Sequence, residues 1–538
     1  MSRSPAAFLR ALALGLLLGV LASCGKSGRT ADLVFIQSAE PETLDPALVS
    51  DQVSMRVSSA LFEGLCRLDA DGRPQPGAAQ RWEISREGKR YDFFLRPGLQ
   101  WSDGSALQAA DFVQSWRRVL DPQSAADYAS LLHVIAGARA FNEGQSKDPQ
   151  SVALRALGPM HLQVDLEQPT PYFLDLCALV VTAPVPLRAM QQQGEHWMKP
   201  GRLVGNGSYL LEQWRLDDCI VLRRNPRYWD VASVALERIE VRQVQDANTA
   251  LGFFLTGQCD LMMDKGMVPP ALALKLRQQP WFHTGPYLGT WFIRANVRRP
   301  ALRDVRVRQA LALAVDKRLL VEKITQMGEP VADAMVPKGT GQGYLPPKGL
   351  GHDPKRAREL LAQAGFPSGS GFPRLEYLYL PLPVERNLAI ELQNMWQREL
   401  GIVVGLAKQE QKAWLQSMRT LDYDLCRSSW VGDYNDPSTF LDLFTSGNGQ
   451  NRTGFASADY DRLIAQAAAE PLLPRRLQLQ ANAEQLLIEQ APVIPVYHYV
   501  GVQFFDAQRL EGVRINAVDD HPFRCMRWRE PALSGARR

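Results

Sequence analysis

The sequence contains no signature of a common hydrolase or dehydrogenase. Its 538 residues include no HExxH zinc motif, no GxSxG nucleophile elbow and no GxGxxG dinucleotide fingerprint. The 7 histidines show no spacing typical of metal ligands, so each is expected to be structural. A Gly-Lys-Ser at residues 25–27 imitates a phosphate-binding loop, but Val20 stands where that motif needs glycine. We therefore expect no enzyme activity, no metal and no cofactor.

The sequence also lacks an excess of charge of one sign. Lys+Arg number 61 and Asp+Glu 57, so the net charge is only +4, and the basic residues form no continuous block. A nucleic-acid-binding surface requires such a block, and nucleic acid is therefore not an expected partner. The composition, 46% hydrophobic and 22% charged, is typical of a globular protein. The length predicts two or three domains.

Long apolar runs are missing except near the start of the chain. Residues 11–21 are apolar, follow two arginines and end in Leu-Ala-Ser before Cys24, which is the pattern of a secretion signal. The run is too short for a permanent transmembrane helix, which needs about 20 residues. Its ending resembles a bacterial lipobox. This implies that residues 1–23 are a lipoprotein signal peptide, that Cys24 carries the lipid and that residues 24–31 hold the anchor and a polar tether. The alternative is a plain signal peptide that happens to contain a cysteine.

Cysteine is infrequent in the rest of the chain. Six cysteines follow Cys24, and none forms a CxxC pair, so neither a zinc ribbon nor a thioredoxin-like motif is predicted. An exported compartment permits disulfides, but six cysteines allow many pairings. The sequence leaves open whether these residues are buried thiols or bridges.

The spacing of the hydrophobic residues predicts a mixed α/β fold. Residues 81–95 alternate apolar and polar around a Glu-Gly-Lys turn and predict a hairpin, whereas residues 110–120 have an apolar helical face. Further helices are predicted at 305–324, 355–364, 385–400, 457–470 and 474–490, and strands at 402–408 and 492–505. The order helix, glycine, strand in residues 385–408 indicates an open sheet covered by helices.

Aromatic and acidic side chains alternate in residues 430–437, at the predicted end of a strand. The segment includes Trp430, Asp433, Tyr434 and Asp436. A carboxylate that is partly removed from water binds an ammonium group strongly, and a Trp ring supplies a flat wall beside it. The segment is therefore a candidate site for a cationic chain end. One alternative is a polar turn that follows a core Trp, since Asp before proline commonly bonds the local backbone. Another is a secreted hydrolase that uses Asp433 and Asp436 as acid and base.

Seven stretches together resemble family 5 of the extracytoplasmic solute-binding proteins, which are the oligopeptide- and dipeptide-binding subunits of ABC importers. The stretches are EPETLDP at 40–46, LFEGL at 61–65, WSDG at 101–104 with DFV at 111–113, GNGSY at 205–209, RNPRYWD at 224–230, DVRVRQAL at 304–311 and WVGDYNDP at 430–437. They stand in the family's order and cover nearly the whole chain after the tether.

The resemblance implies a particular α/β fold, the two-lobed, hinged fold of periplasmic binding proteins (type II, cluster C), with an extra β-rich domain in the first lobe. The core of the first lobe is then expected at 32–62, 183–286 and 501–530, the extra domain at 63–182 and the second lobe at 287–500. The chain crosses between the lobes near residues 286 and 500. Hinged closure about these two crossings buries a ligand in the cleft.

The resemblance also implies a function and a site. The chain is expected to be a monomeric lipoprotein of the periplasm or another extracytoplasmic space, held at the membrane by its lipid. It captures a short peptide and passes it to ABC permease and ATPase subunits. Asp433 is expected to pair with the ammonium terminus of the peptide. The other implied ligand-binding residues are Trp430, Arg427, Tyr434, Tyr128 and Asp51. Pairing with the peptide backbone, as an added strand, allows many different side chains.

The chain departs from the oligopeptide-binding pattern at several positions. Ser50 stands where those relatives have an acidic cleft residue, with Asp51 beside it. Met418 and Glu385 stand where they have an arginine and a histidine that neutralise the peptide carboxylate. Other ligands therefore stay open: a nickel chelate, haem, a sugar or a cell-wall peptide. A signalling or chaperone lipoprotein without an importer is a further alternative.

Overall fold

A computed structural model describes residues 31–341 and 343–530 of the chain. The predicted signal peptide, Cys24 and all of the tether except Ala31 lie outside the described residues. No helix in the described ranges is both long and apolar enough to cross a membrane. Among the described cysteines, Cys66, Cys177, Cys219 and Cys426 are buried free thiols, and Cys525 is a partly buried one.

Strands and helices both occur along the whole described chain. The strands are β1 Leu33–Gln37, β2 Cys66–Leu68, β3 Pro74–Pro76, β4 Ala79–Ile84, β5 Arg90–Leu95, β6 Leu154–Gly158, β7 His161–Asp165, β8 Tyr209–Arg215, β9 Cys219–Arg224, β10 Arg238–Gln243, β11 Leu261–Met262, β12 Phe282–Ala295, β13 Leu375–Tyr379, β14 Val404–Lys408, β15 Leu425–Val431, β16 Val493–Phe504, β17 Leu510–Glu511 and β18 Arg527–Trp528. The α-helices are α1 Gln52–Leu61, α2 Ala109–Leu120, α3 Ala138–Asn142, α4 Phe173–Leu176, α5 Leu187–Gln193, α6 Ala247–Leu255, α7 Ala273–Leu276, α8 Val305–Leu313, α9 Lys317–Leu320, α10 Pro354–Gln363, α11 Pro383–Leu400, α12 Gln411–Thr420, α13 Ser438–Leu441, α14 Ala458–Ala469 and α15 Leu473–Gln490.

One sheet runs through both halves of the molecule. Its strand order is β14-β13-β15-β12-β16-β11-β1-β10-β9-β8. The long strands β12 and β16 lie at its centre and pair antiparallel, but their register shifts between Pro286 and Thr290. On one side of this shift β15 joins β12, and on the other side β11 joins β16 at Phe504. Among the strands that the structure describes, β12 and β16 alone connect the two halves of the sheet.

Separate hydrophobic cores lie on the two sides of that register shift. The first core contains Phe35 of β1 and also Phe93 and Trp116. Trp116 belongs to α2, which packs on β6 and β7 of the four-stranded sheet β4-β5-β7-β6. The second core contains Trp291 and Trp396, between β12 and α11. The molecule is therefore the predicted two-lobed α/β fold, with an additional antiparallel sheet in the first lobe.

Most elements lie within two residues of their predicted bounds. The hairpin of residues 81–95 is β4 and β5, and its turn contains Gly88 at φ 68°. Glycine suits that backbone because a side chain would strain it. The predicted helices 355–364, 385–400, 457–470 and 474–490 are α10, α11, α14 and α15, and the predicted strands 402–408 and 492–505 are β14 and β16.

The prediction of one continuous helix over 305–324 is wrong. The segment forms α8, α9 and a π-helical turn at Val321–Thr325. The break comes at Asp316, whose carboxylate accepts a hydrogen bond from the Leu319 N–H at 3.0 Å and so starts a new helix. Buried leucines continue on both sides of the break. Because the apolar spacing continues past Asp316, the sequence pattern gave no sign of the break.

Candidate functional site

Two adjoining cavities lie between the lobes. The first, here called the Asp433 cavity, has a volume of ≈ 220 Å³ and is lined by α1, by segments around Tyr128 and Asp175, by the loop after β15 and by residues 518–521. The second, the hinge-side cavity, has ≈ 330 Å³ and is lined partly by β12 and β16. Both are lined by Gln52, Arg56, Val431 and Asp519. Together they form one cleft.

Asp433 is held in a fixed position directly after β15. The N–H of Gly432 donates to the Leu288 carbonyl at 2.7 Å, and the N–H of Asp433 donates to the Thr439 hydroxyl at 3.1 Å. The Asp433 side chain is half-buried and lines the cavity. Within the described ranges it forms no ion pair, and burial raises its pKa to about 6. A desolvated carboxylate without a counter-ion is suited to receive a cation from a ligand.

Tyr128 lies on the first-lobe wall of the same cavity. Burial, and then the charges of Asp433, Asp127 and Asp51, raise the pKa of Tyr128 to about 12. Its phenol is therefore neutral and available as a hydrogen-bond donor. One oxygen of Asp51 accepts the Ser54 N–H at 2.8 Å and caps α1. The other oxygen is buried and has no partner among the described residues.

Two tyrosines connect the lobes beside the Asp433 cavity. The ring of Tyr434, next to Asp433, stacks on the ring of Tyr172, with centroids 4.0 Å apart and planes at 7°. Tyr172 directly precedes α4 in the first lobe. The Tyr434 hydroxyl lies 3.3 Å from the Ser438 hydroxyl. Asp433 adjoins Tyr434, and Asp175 follows Tyr172 by three residues. The stack therefore places both acidic residues at the Asp433 cavity.

Arg427 and Trp430 lie on β15 but do not line either cavity. The Arg427 Nε lies 2.7 Å from Oε1 of Glu385, and the two side chains are 12% and 4% exposed. Because side chains alternate along a strand, Trp430 faces away from Ser429 and Val431, which line the hinge-side cavity. It packs in the second lobe instead. Glu385 thus neutralises the charge of Arg427, and Trp430 is a packing residue.

Asp436 is not a free carboxylate. Its Oδ2 lies 2.6 Å from Nη1 of Arg476, and its Oδ1 accepts hydrogen bonds from Gln480 at 3.1 Å and from the Ser438 N–H at 3.0 Å. Asp436 and Arg476 are both buried. A general acid or base needs an accessible proton position. The arrangement therefore gives no support to a pair of catalytic carboxylates at Asp433 and Asp436.

Several cavity residues were not identified from the sequence. Asp519 accepts from Nη2 of Arg56 at 2.9 Å and lies 2.7 Å from Nε2 of His521. Burial opposes its ionisation, but the charge of Arg56 and the contact with His521 hold the pKa of Asp519 below its usual range. Asp175, in α4, also lines the cavity. The sequence signal for Asp175 was one acidic residue in the largely apolar run of residues 173–181, and for Asp519 a consecutive Asp-Asp-His.

The chain is similar to bacterial proteins of known structure. A model of the bacterial extracellular solute-binding proteins, family 5, matches residues 73–452. The periplasmic oligopeptide-binding protein OppA of Escherichia coli K12 is 33% identical over 480 residues, which is 88% of each chain. The probable deoxycholate-binding periplasmic protein YgiS of the same organism is 34% identical over 466 residues, 86% of each chain. The unliganded open form of MppA, a periplasmic murein tripeptide binding protein, superposes with a TM-score of 0.81 at 33% identity, over 92% of this chain and 96% of that one.

Proposed function

The chain belongs to the family 5 bacterial extracellular solute-binding proteins, and from this premise we propose that it captures short peptides by their amino end, without chemical change, in the cleft between its lobes. One observation carries the proposal: Asp433 is a half-buried carboxylate that lines the inter-lobe cavity without an ion pair in the described ranges. An α-ammonium group supplies the missing positive charge. The oxygen of the neutral Tyr128 phenol, on the opposite wall, accepts a hydrogen bond from the same ammonium group.

The free edge of β15 supports backbone pairing with the ligand. β13 pairs with β15 only at Leu425 and Cys426, whereas β15 continues to Val431. Within the described part of the chain, the last residues of β15 on that side have no strand partner, so their N–H and C=O groups are open to an added strand. A peptide that pairs there runs along the cleft toward Asp433. Main-chain hydrogen bonds of this kind place no condition on side chains, which supports a broad choice of peptides.

The cellular setting follows from the sequence pattern and from the relatives. We propose that residues 1–23 are removed, that Cys24 carries a lipid and that residues 24–31 tether a monomer on the extracytoplasmic side of a membrane. There it delivers peptides to ABC permease and ATPase subunits. We also propose the domain division given above, with crossings near residues 286 and 500. OppA and MppA are named as periplasmic binding proteins, in agreement with this setting.

A second candidate ligand is an amine that lacks a carboxylate near β15. The observation in its favour is the buried ion pair of Glu385 and Arg427. Arg427 lies on the cleft strand, yet its charge is already neutralised. A ligand carboxylate at this position therefore finds no unpaired positive charge among the described residues. One relative, YgiS, is named as a probable deoxycholate-binding protein, so a peptide is not the ligand named for every relative of this chain.

Native mass spectrometry of the purified mature protein, followed by calorimetric titration with tri-alanine, tests the proposal. We expect co-purified peptides in the first experiment. In the second, Asp433→Asn weakens binding by about 2 kcal/mol or more, roughly thirtyfold, because a buried charge pair loses one partner. We expect N-acetyl-tri-alanine to bind the native protein as weakly as tri-alanine binds the variant. Combining the acetylated peptide with the variant is expected to cause no further loss of affinity.

Asp459→Asn is the matched control for this titration. Asp459 is an exposed carboxylate in the first turn of α14, paired only with Arg462 at 2.8 Å, so its loss changes the net charge of the lobe and leaves the cleft intact. Equal affinities for Asp433→Asn and the native protein contradict the proposal. Tri-alanine amide separates the two ligand candidates, because a preference for the amide over the free acid favours the amine.

A further inference from the structure

Asp175 is a second carboxylate without a counter-ion in the Asp433 cavity. It lies in α4, three residues after Tyr172, whose ring stacks on Tyr434 beside Asp433. Asp175 is half-buried and lines the same cavity of ≈ 220 Å³ as Asp433. Within residues 31–341 and 343–530 it forms no ion pair. The two acidic groups thus reach one cavity from different lobes.

The other charged groups that line this cavity already have partners. Arg56 and His521 both contact Asp519, at 2.9 Å and 2.7 Å. The carboxylate of Asp520 lies 3.6 Å from Arg514. These contacts leave the Arg56 and His521 side chains occupied. Neither Arg56 nor His521 is therefore free to neutralise Asp175 or Asp433.

Two charges of the second lobe have opposite effects on the pKa of Asp175. Arg476 lowers this pKa and Asp436 raises it, and the two side chains lie 2.6 Å apart, so they supply no net positive charge to Asp175. Burial first, and then Asp436, raise the pKa of Asp175 to about 8. At neutral pH Asp175 is therefore largely protonated in the empty cavity, and a single ligand ammonium at Asp433 leaves it without a cation that would favour its ionised form.

We propose that Asp175 is a specificity-determining residue that selects ligands with a second cationic group, above all peptides whose first residue is lysine or arginine. The inference rests on the proposed function, since it takes the α-ammonium to be at Asp433. In a basic first residue, a stem of four methylene groups in lysine or three in arginine separates the side-chain charge from that ammonium. It therefore delivers both charges to the same cavity.

The wall next to Asp175 suits the stem of such a side chain. Ala178, Leu179, Val180 and Val181 follow Asp175 in the chain and line the cavity with it. Lysine and arginine side chains pack their methylene groups on apolar surface and extend the charge beyond it. An apolar strip that ends at a carboxylate matches this shape. A shorter or acidic first side chain matches neither part.

The test compares three tripeptides on the mature protein by calorimetry at pH 7: Lys-Ala-Ala, norleucyl-Ala-Ala and Ala-Ala-Ala. Norleucine keeps the four-carbon stem of lysine and lacks the charge. We expect Lys-Ala-Ala to bind about tenfold more tightly than norleucyl-Ala-Ala, since a charge-assisted hydrogen bond is gained. In Asp175→Asn the two peptides bind equally, whereas the affinity for Ala-Ala-Ala is retained within about threefold.

Asp127→Asn is the control, because Asp127 is exposed, acts on Tyr128 as Asp433 does, and does not line the cavity. The tenfold preference persists in this variant. Equal binding of lysyl and norleucyl peptides to the native protein overturns the inference, and so does a preference that survives Asp175→Asn. The first outcome is measured on the native protein alone, so it does not depend on whether the Asp175→Asn variant folds. Failure of the proposed function looks different, because all three peptides then fail to bind or bind Asp433→Asn unchanged.

Discussion

Single carboxylates in this cleft have different roles because they have different neighbours. Asp436 and Asp519 each form an ion pair with an arginine, so both are structural partners inside the protein. Asp433 and Asp175 are desolvated without such a partner among the described residues, so each raises the free energy of the empty cleft when ionised. A ligand cation removes that penalty. Desolvated and unpaired carboxylates are therefore the residues that connect this structure to its ligand.

The pKa of Asp433 predicts a pH-dependent affinity. Because its pKa in the empty cleft is about 6, the group is protonated below that pH, and a peptide ammonium pairs only with the ionised form. Between pH 7 and pH 5 the affinity for tri-alanine therefore falls, approaching about tenfold per unit below pH 6. Stability changes in the opposite sense. The folded pKa lies above the unfolded value of about 3.9, so the contribution of Asp433 to stability is greatest at low pH and is lost as the pH rises through 6.

Calorimetric titrations at pH 5, 6 and 7 measure this dependence. The peptide amine stays protonated over most of this range, since its own pKa is about 7.7 to 8.0. In Asp433→Asn we expect the affinity to be weak and nearly constant with pH. The same slope in both proteins assigns the titration to another group and removes Asp433 from the explanation.

At the scale of elements, the end of β15 is the part that makes the site. The strand supplies Ser429 and Val431 to one cavity, and the loop that follows it supplies Asp433 and Tyr434 to the other. The loop is held by Gly432, whose N–H bonds to Leu288 on the segment between the two paired halves of β12 and β16. The position of Asp433 therefore depends on a contact with the crossing between the lobes.

Gly432→Ala tests this dependence. A Cβ at residue 432 lies 2.7 Å from Cδ2 of Leu288 and 2.8 Å from Cγ2 of Thr439, so the loop must move. We expect a loss of about 1–3 kcal/mol in the free energy of unfolding, as for other overpacked sites. Binding of tri-alanine weakens by roughly tenfold, because a binding group must be held to about 0.5 Å. Denaturant titration and calorimetry measure the two effects.

Gly449→Ala is the control for that variant. A Cβ at Gly449 meets nothing within 4 Å, and the residue has no positive φ. Its stability and affinity stay close to those of the native protein. Native affinity in Gly432→Ala contradicts the assigned role of the loop.

At the scale of the whole molecule, the sheet connects the two cores, and the cleft lies between them. Of the described strands, only β12 and β16 cross between the lobes, and their pairing is irregular from Pro286 to Thr290. Away from this crossing, the Tyr172–Tyr434 stack joins the lobes. A ligand in the Asp433 cavity touches both lobes at this point. The stack and the ligand therefore favour the same closed arrangement.

Tyr172→Ala is expected to weaken ligand binding through lobe closure. An aromatic pair contributes about 0.5–1.5 kcal/mol, so the affinity for tri-alanine falls by roughly two- to tenfold. Small-angle scattering shows a smaller radius of gyration in the native protein when peptide is added. In the variant more peptide is needed for the same change. Phe94→Ala, which removes the stack of Phe94 on His161 within the first lobe, leaves the affinity unchanged. If Tyr172→Ala binds tri-alanine with unchanged affinity, the stack does not contribute to closure of the lobes.

The sequence by itself determined the local elements, the family and the candidate loop. Hydrophobic spacing, caps and turn glycines act between residues a few positions apart, so the hairpin at 81–95 and the helix capped by Ser457 were predictable. The tertiary structure alone decided the pairing of charges. Arg427 meets Glu385 at a separation of 42 residues and Asp436 meets Arg476 at 40, whereas Asp175 meets no cation in the described part of the chain. Whether a carboxylate is a structural partner or a group for a ligand depends on which distant cation the fold places beside it, and local sequence carries no record of that distance.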